Sequence, residues 1–168
     1  MAHMNIDELT KFCTDVRNAL EMADANDISH KRTSLRKSDF PKGCCGDTTD
    51  LLAYLIYEQF GELALKRSGM YYEHINPDPR LQDNNSHAWL ELSGKIIDLT
   101  ADQFNDRKFS NPPVMITKDK SFHDLFAYRD SRTNLEVALP PTLKPELYAT
   151  LFYVRERLKS AGWPSVSV

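Results

Sequence analysis

A thiol, an imidazole and a carboxylate follow one another along this chain in an order that could assemble a cysteine nucleophile, its base and the group that orients the base. The thiols are Cys44 and Cys45 in Lys42-Gly43-Cys44-Cys45-Gly46-Asp47, the imidazole is His87 in Ser86-His87-Ala88-Trp89, and the carboxylate is Asp98 at the end of Lys95-Ile96-Ile97-Asp98. In such a set the thiolate attacks a carbonyl carbon, the histidine moves the proton, and the aspartate holds the imidazole tautomer and stabilises its charged form. Gly43 and Gly46 flank the thiols and would let a substrate backbone come close. The plainer reading, two small residues packed under the start of a helix, accounts for most cysteines taken singly. The coincidence of thiol, histidine and aspartate favours chemistry here.

The elements that must position these groups can be read from the pattern around them. Leu51, Leu52, Leu55, Ile56 and Phe60 recur with a period of about 3.6, Asp47 stands where a first-turn carboxylate is favoured, and Gly61 is placed to end the helix. The cysteines therefore lie at a helix N-terminus, where free N–H groups and the dipole favour thiolate over a thiol of pKa about 8.5. The same N–H groups can bind a developing oxyanion. Periodicity does not choose between the two thiols, since Cys45 lies above Leu52 and Ile56 and Cys44 above Leu51 and Leu55.

His87 to Leu92 and Lys95 to Thr100 are expected as two strands joined by the two-residue turn Ser93-Gly94. That turn pairs Leu92 with Lys95, hence Trp89 with Asp98, and makes His87 and Asp98 diagonal neighbours on one face. A three-residue loop would shift the register by one and send Asp98 to the opposite face.

Elsewhere, Ile6, Leu9, Phe12, Cys13, Val16, Leu20 and Ala23 predict an N-terminal amphipathic helix, and Asn26 to Phe40 a surface connection. Glu62 to Tyr72 is expected as a strand and His74 to Ser86 as a loop, with Asn111-Pro112-Pro113 marking another. Phe122 to Tyr128 is expected as a short helix, and Val114-Met115-Ile116 and Leu135 to Leu139 as further strands. Pro145 at a first helical position, with Leu147, Leu151, Val154 and Leu158, predicts a C-terminal helix to about Ser160. The sum is an α+β fold with four or five antiparallel strands.

Composition narrows the function. A chain of 168 residues, 41% hydrophobic, can bury one proper core, so one domain over residues 1–168 is expected. The net charge of −3 comes from mixed acids and bases without a basic stripe, which argues against nucleic acid and anionic membrane as partners. Met1 to Thr14 lacks a signal-peptide core, and the apolar run Leu51 to Tyr57 is too short to span a bilayer. Three cysteines, two of them vicinal, make a disulfide framework improbable, and reduced thiols suit a cytoplasmic location. Met1-Ala2-His3-Met4 has the look of a cloning remnant.

The remaining candidates are weaker. Cys13, Cys44, Cys45 and His87 could be counted as a zinc set, but Cys-x-x-Cys spacing is missing and adjacent ligands fit a tetrahedron poorly, so neither metal nor cofactor is expected. His30, His74 and His123 have no companion pattern and are assigned to surface or loop. Gln103 could donate to an oxyanion or cap a strand end, and Tyr71, Tyr72 and Trp89 could wall a cleft or fill the core.

A glycine-flanked nucleophile with an acid two residues on, then His87-Ala88-Trp89 opening one strand and Ile97-Asp98-Leu99-Thr100-Ala101-Asp102-Gln103-Phe104 closing the next, resembles the transglutaminase-like superfamily of papain-fold cysteine enzymes. The resemblance covers about residues 40–104. It implies a nucleophile helix packed on an antiparallel sheet that bears His and Asp, with Cys45 as nucleophile because Asp47 fills the acid position, His87 as base and Asp98 as orienter. It implies acyl transfer from an amide or peptide carbonyl through a thioester, by a peptidase, amidase, glutamine deamidase or crosslinking enzyme, with a protein, peptide or small amide as substrate. The chain lacks room for the accessory barrels of a full-length animal transglutaminase, so calcium-dependent crosslinking is not implied. The second reading, from a different class, is a papain-like fold kept as a protein-binding module with the triad idle. No pattern specifies an oligomeric state.

Overall fold

The computed structural model of the chain describes residues 4–26, 33–37, 39–126, 128–129 and 140–165. Its helices are α1 (Ile6–Ala25), α2 (Cys45–Phe60) and α3 (Tyr148–Ser160), and its strands are β1 (Leu65–Met70), β2 (Ser86–Leu92), β3 (Lys95–Asp98), β4 (Met115–Thr117) and β5 (Tyr128–Arg129). The strands form one antiparallel sheet in the order β4-β3-β2-β1-β5. Helices on one face of an antiparallel sheet make an α+β architecture.

Local sequence accounts for the element ends. The Asn5 side chain caps α1 by accepting from the Asp7 N–H at 2.9 Å, and Asp7 and Glu8 stand at the positive end of its dipole. Gly61 ends α2 in the left-handed conformation, φ 69°, with its N–H on the Tyr57 carbonyl. Pro145 opens a 3₁₀ turn, Pro145–Leu147, and the α-helical hydrogen bonding of α3 begins one turn later than expected.

The period-two alternation of β2 and β3 divides the core in two. Leu90, Leu92 and Ile97 face the helices and pack with Leu9, Phe12, Val16, Leu51, Leu55, Leu151 and Val154. Trp89 and Ile96 point to the opposite face, into a cluster with Tyr71, Leu81, Phe104, Phe109 and Phe126. Each large side chain so buried contributes about 1.5–3 kcal/mol relative to exposure, which is why the short β3 and β4 hold their register. At the far end of the helical layer Phe12, Phe60 and Trp163 pack edge to face, with centroids 5.0–6.0 Å apart.

Other expectations change in detail, and the strand expected over Lys95 to Thr100 ends at Asp98. The strand expected over Glu62 to Tyr72 is confined to Leu65–Met70, and the helix expected over Phe122 to Tyr128 is a 3₁₀ turn, His123–Phe126, followed by β5. The strand at Val114-Met115-Ile116 lies one residue later, at Met115–Thr117. Leu135 to Leu139 lies outside the described residues, as does His30. Among the described residues no helix is long and apolar enough to cross a membrane.

Candidate active site

The two adjacent thiols have opposite environments. Cys44, the residue preceding the first turn of α2, is buried, and its sulfur lies 3.3 Å from the Lys42 carbonyl and 3.5 Å from that of Ser34, to which only a protonated thiol can donate. Burial, with the charges of Asp24, Cys45 and Asp47 acting in the same sense, pushes its pKa up to about 12. Cys45 is the first helical residue and keeps partial exposure. Burial alone would raise its pKa, but the hydrogen bond and charge of His87, joined by the Ala88 backbone N–H, outweigh it and hold Cys45 below the ordinary thiol value. The two sulfurs, which helical periodicity does not tell apart, differ in what each touches.

The hairpin delivers the other two groups. Ser93 and Gly94 both adopt positive φ, 51° and 74°, as a two-residue type I′ turn requires, and Leu92 pairs with Lys95 and Leu90 with Ile97. The expected register holds, and Nε2 of His87 lies 2.6 Å from Oδ2 of Asp98. Oδ1 of Asp98 accepts from the Thr100 N–H at 2.9 Å and lies 3.5 Å from the Thr100 hydroxyl. Both side chains are 1% exposed. Burial opposes the charge on Asp98, yet the His87 charge and the two imidazole hydrogen bonds keep its carboxyl well below the usual carboxylate range. Burial likewise opposes charge on His87, and the Asp98 carboxylate, with Cys45 beyond, raises its pKa nonetheless. With Nε2 committed to Asp98, Nδ1 is the ring nitrogen left for the contact with Cys45. The arrangement can store a thiolate and an imidazolium side by side.

One expectation is overturned. His123, assigned to surface or loop, is 2% exposed, and its Nε2 lies 2.7 Å from the Asp98 Oδ2 that also takes His87. A lone histidine between Phe122 and Asp124 carries no sequence signal for this; the contact depends on a close approach of the 3₁₀ turn to the sheet. Gly69 makes that approach feasible. It pairs with His87 in β1–β2, and a Cβ built on it would stand 2.1 Å from the Phe126 carbonyl oxygen. Around His87 the rings of Trp89, Phe104, Phe122 and Phe126 have centroids 5.2–5.9 Å from its own, an apolar wall that keeps water from the imidazole.

Residues of the Ile97 to Phe104 stretch also tie the site together. The Gln103 carboxamide accepts from the Gly43 N–H at 3.2 Å, donates to the Thr100 carbonyl at 2.9 Å and places Nε2 3.4 Å from Nδ1 of His87. It therefore joins the nucleophile loop to the strand end. Asp102 forms a two-point ion pair with the buried Arg17 of α1, both contacts at 2.8 Å, and the same guanidinium donates to the Leu99 carbonyl at 2.6 Å. Asp47 accepts from the Ser34 N–H and hydroxyl and from Lys144, each at 2.7 Å, so its place two residues after Cys45 is structural.

Among the described residues, the group of His, Cys, Asp or Glu whose ligand atoms lie close enough to share an ion is His87, Asp98 and His123, not the cysteine set. Cys13 is packed in the α1 core, where burial pushes its pKa up to about 12. Tyr71 and Trp89 are fully buried core residues, and His74 is an exposed loop residue.

Comparison of the chain with protein-family models, with curated proteins and with solved structures returns no match.

Proposed function

We propose that this chain is a cysteine-dependent acyl-transfer enzyme acting on an amide or peptide carbonyl, with Cys45 as nucleophile, His87 as acid and base, and Asp98 as the orienting carboxylate. The observation that carries the proposal is the continuous path from a partly exposed thiol at a helix start, through a sealed imidazole, to a carboxylate 2.6 Å away. The nucleophile helix against an antiparallel sheet bearing His and Asp agrees with a transglutaminase-like variant of the papain fold, which forms part of this proposal.

The chemistry follows from the geometry. The Cys45 sulfur forms a bond to the carbonyl carbon, and the oxyanion is held by N–H groups of the first turn of α2, which have no intrahelical acceptors. As the C–N bond breaks, imidazolium Nδ1 of His87 gives its proton to the leaving amine and a thioester remains. Water then attacks with His87 taking its proton, and the thiolate leaves. Water is preferred over a second amine as acceptor, which makes hydrolysis or deamidation the favoured outcome. The three cysteines are unpaired, which agrees with a reducing, cytoplasmic location as part of the same proposal.

The test uses an activated acyl donor, p-nitrophenyl acetate, because it needs no knowledge of the natural substrate. A burst of nitrophenolate stoichiometric with protein, and an acetyl group mapped to Cys45 by peptide mass spectrometry, are expected. A burst that survives Cys45→Ala, or acetylation spread evenly over the thiols, would refute the proposal.

A further inference from the structure

The Asp98 carboxylate takes two imidazoles where acyl transfer through Cys45 uses one. Oδ2 receives Nε2 of His87 at 2.6 Å and Nε2 of His123 at 2.7 Å, while Oδ1 faces Thr100. An ionised carboxylate offers only acceptors, so both rings present Nε2–H to it. What distinguishes them is the other ring nitrogen. Nδ1 of His87, the ring nitrogen left for Cys45, also lies 3.4 Å from Nε2 of Gln103, whereas Nδ1 of His123 is buried with no hydrogen-bond partner among the described residues. The His123 ring stands among aromatic rings, with the Trp89 and Phe122 centroids 4.8 and 5.0 Å from its own. A proton there would find no acceptor, so the tautomer protonated at Nε2 alone suits His123.

We propose that His123 is a positioning residue for the Cys45–His87 pair: its Nε2–H fixes the orientation of Asp98 and shares the charge of the oxygen that holds His87. The inference rests on the acyl-transfer reading above. With two donors on Oδ2 and Thr100 on Oδ1, the carboxylate cannot rotate without losing a hydrogen bond, and His87 is held with Nδ1 left for the sulfur. Dividing the charge of Oδ2 between two rings also moderates its pull on the His87 imidazolium, so that the proton can still pass to a leaving group. Gly69 serves the same end, since only a residue without Cβ admits the Phe126 carbonyl and so seats the turn that carries His123.

The competing use of these groups is a divalent cation held by His87, Asp98 and His123, whose ligand atoms lie within 4.8 Å of one another. Two atoms sharing a tetrahedral ion at about 2.0–2.2 Å stand roughly 3.3–3.6 Å apart. The 2.6 and 2.7 Å separations here are hydrogen-bond distances with a proton between the atoms. The geometry favours the positioning role.

The experiment compares His123→Gln, which can place an amide N–H near the position of Nε2, with His123→Phe, which keeps the ring and its packing but loses the donor. The readout is the pH profile of Cys45 alkylation by iodoacetamide, resolved by peptide mass spectrometry, together with the p-nitrophenyl acetate burst rate. His123→Phe is expected to slow the burst about tenfold, the size of one hydrogen bond to a charged group, and to move the upper limb of the alkylation profile to higher pH. His123→Gln should recover most of both. A purely packing role predicts the reverse order, Phe near wild type and Gln impaired, and that order would overturn the proposal. So would protection of Cys45 by stoichiometric Zn²⁺ in the wild type but not in His123→Phe, which would make the cluster a metal site. Failure of the underlying reading is separate: wild-type Cys45 would then show no reactivity dependent on His87, whatever His123 does. Should neither variant fold, ¹⁵N-edited NMR of the wild type decides, with a His123 proton on Nε2 expected and one on Nδ1 overturning the proposal.

Discussion

Two sulfur atoms one peptide bond apart differ here because one faces backbone carbonyls and the other faces an imidazole. Cys44 is held as a thiol by Lys42 and Ser34, and Cys45 is stabilised as a thiolate by His87 and the Ala88 N–H. Iodoacetamide should therefore modify Cys45 at lower pH than an ordinary thiol of pKa about 8.5, while Cys44 resists even at higher pH. Cys44→Ser should leave the low-pH reactivity intact, and Cys45→Ser should remove it; peptide mass spectrometry distinguishes the two. Asp98 supports a second residue-scale prediction. Its oxygens accept from His87, His123 and Thr100, so Asp98→Asn must turn an amide N–H toward at least one of these donors. The buried conflict should cost about 1–3 kcal/mol of stability by urea unfolding and abolish the low-pH alkylation of Cys45. Unchanged stability together with unchanged alkylation would show that the carboxylate is not needed as an acceptor.

At the scale of elements, the site depends on a turn of two residues and on a glycine opposite another turn. Because successive strand residues alternate faces, inserting one alanine between Ser93 and Gly94 would send either His87 or Asp98 to the helix-facing side. The variant should lose the acetate burst and about 2 kcal/mol or more of stability, since either outcome turns a charged group into the apolar helix-facing cluster. A variant that retained the burst would show that the 2.6 Å contact does not support the chemistry. The 3₁₀ turn His123–Phe126 belongs to the same scale: its residues are short of a full helical repeat, and its placement comes from Gly69 rather than from its own periodicity.

Over the whole molecule, ion pairs at the ends of elements tie the helical layer to the site. Arg17 joins α1 to Asp102 and to the Leu99 carbonyl immediately after Asp98. Arg17→Met keeps much of the buried stem but leaves those acceptors unpaired, and should destabilise by about 3 kcal/mol, measured by chemical unfolding. Asp47 joins α2 to Ser34 and Lys144. Burial works against its charge, but Lys144 and Ser34 prevail and lower its pKa, as the two histidines do for Asp98. A carboxyl whose folded pKa is lowered adds stability that is full above its unfolded value of about 3.9 and is lost as pH falls through the folded value. His87 has the opposite sign: its raised pKa adds stability that is full below about 6.5 and is lost as pH rises through the folded value. Melting temperature should accordingly hold from about pH 4 to about pH 6.5 and fall on either side. Asp47→Asn should remove part of the acid limb, so that its melting curve meets that of the wild type at low pH; parallel curves over the whole acid range would contradict the assignment.

From its residues alone this chain determined the helix that begins at the cysteines, the Ser93-Gly94 hairpin and the facing of His87 toward Asp98. Those features rest on short-range rules: a 3.6-residue period, a turn type that needs positive φ, and alternation along a strand. The remaining decisions required tertiary structure, because they depend on groups distant in sequence. What tells the two thiols apart is the position of His87 and Ala88 against the start of α2. Whether His123 is a loop residue or a second hand on Asp98 was decided by the room that Gly69 leaves for Phe126. A pattern in one segment can place a side chain on a face, but only packing between segments sets the few tenths of an ångström within which a proton is shared.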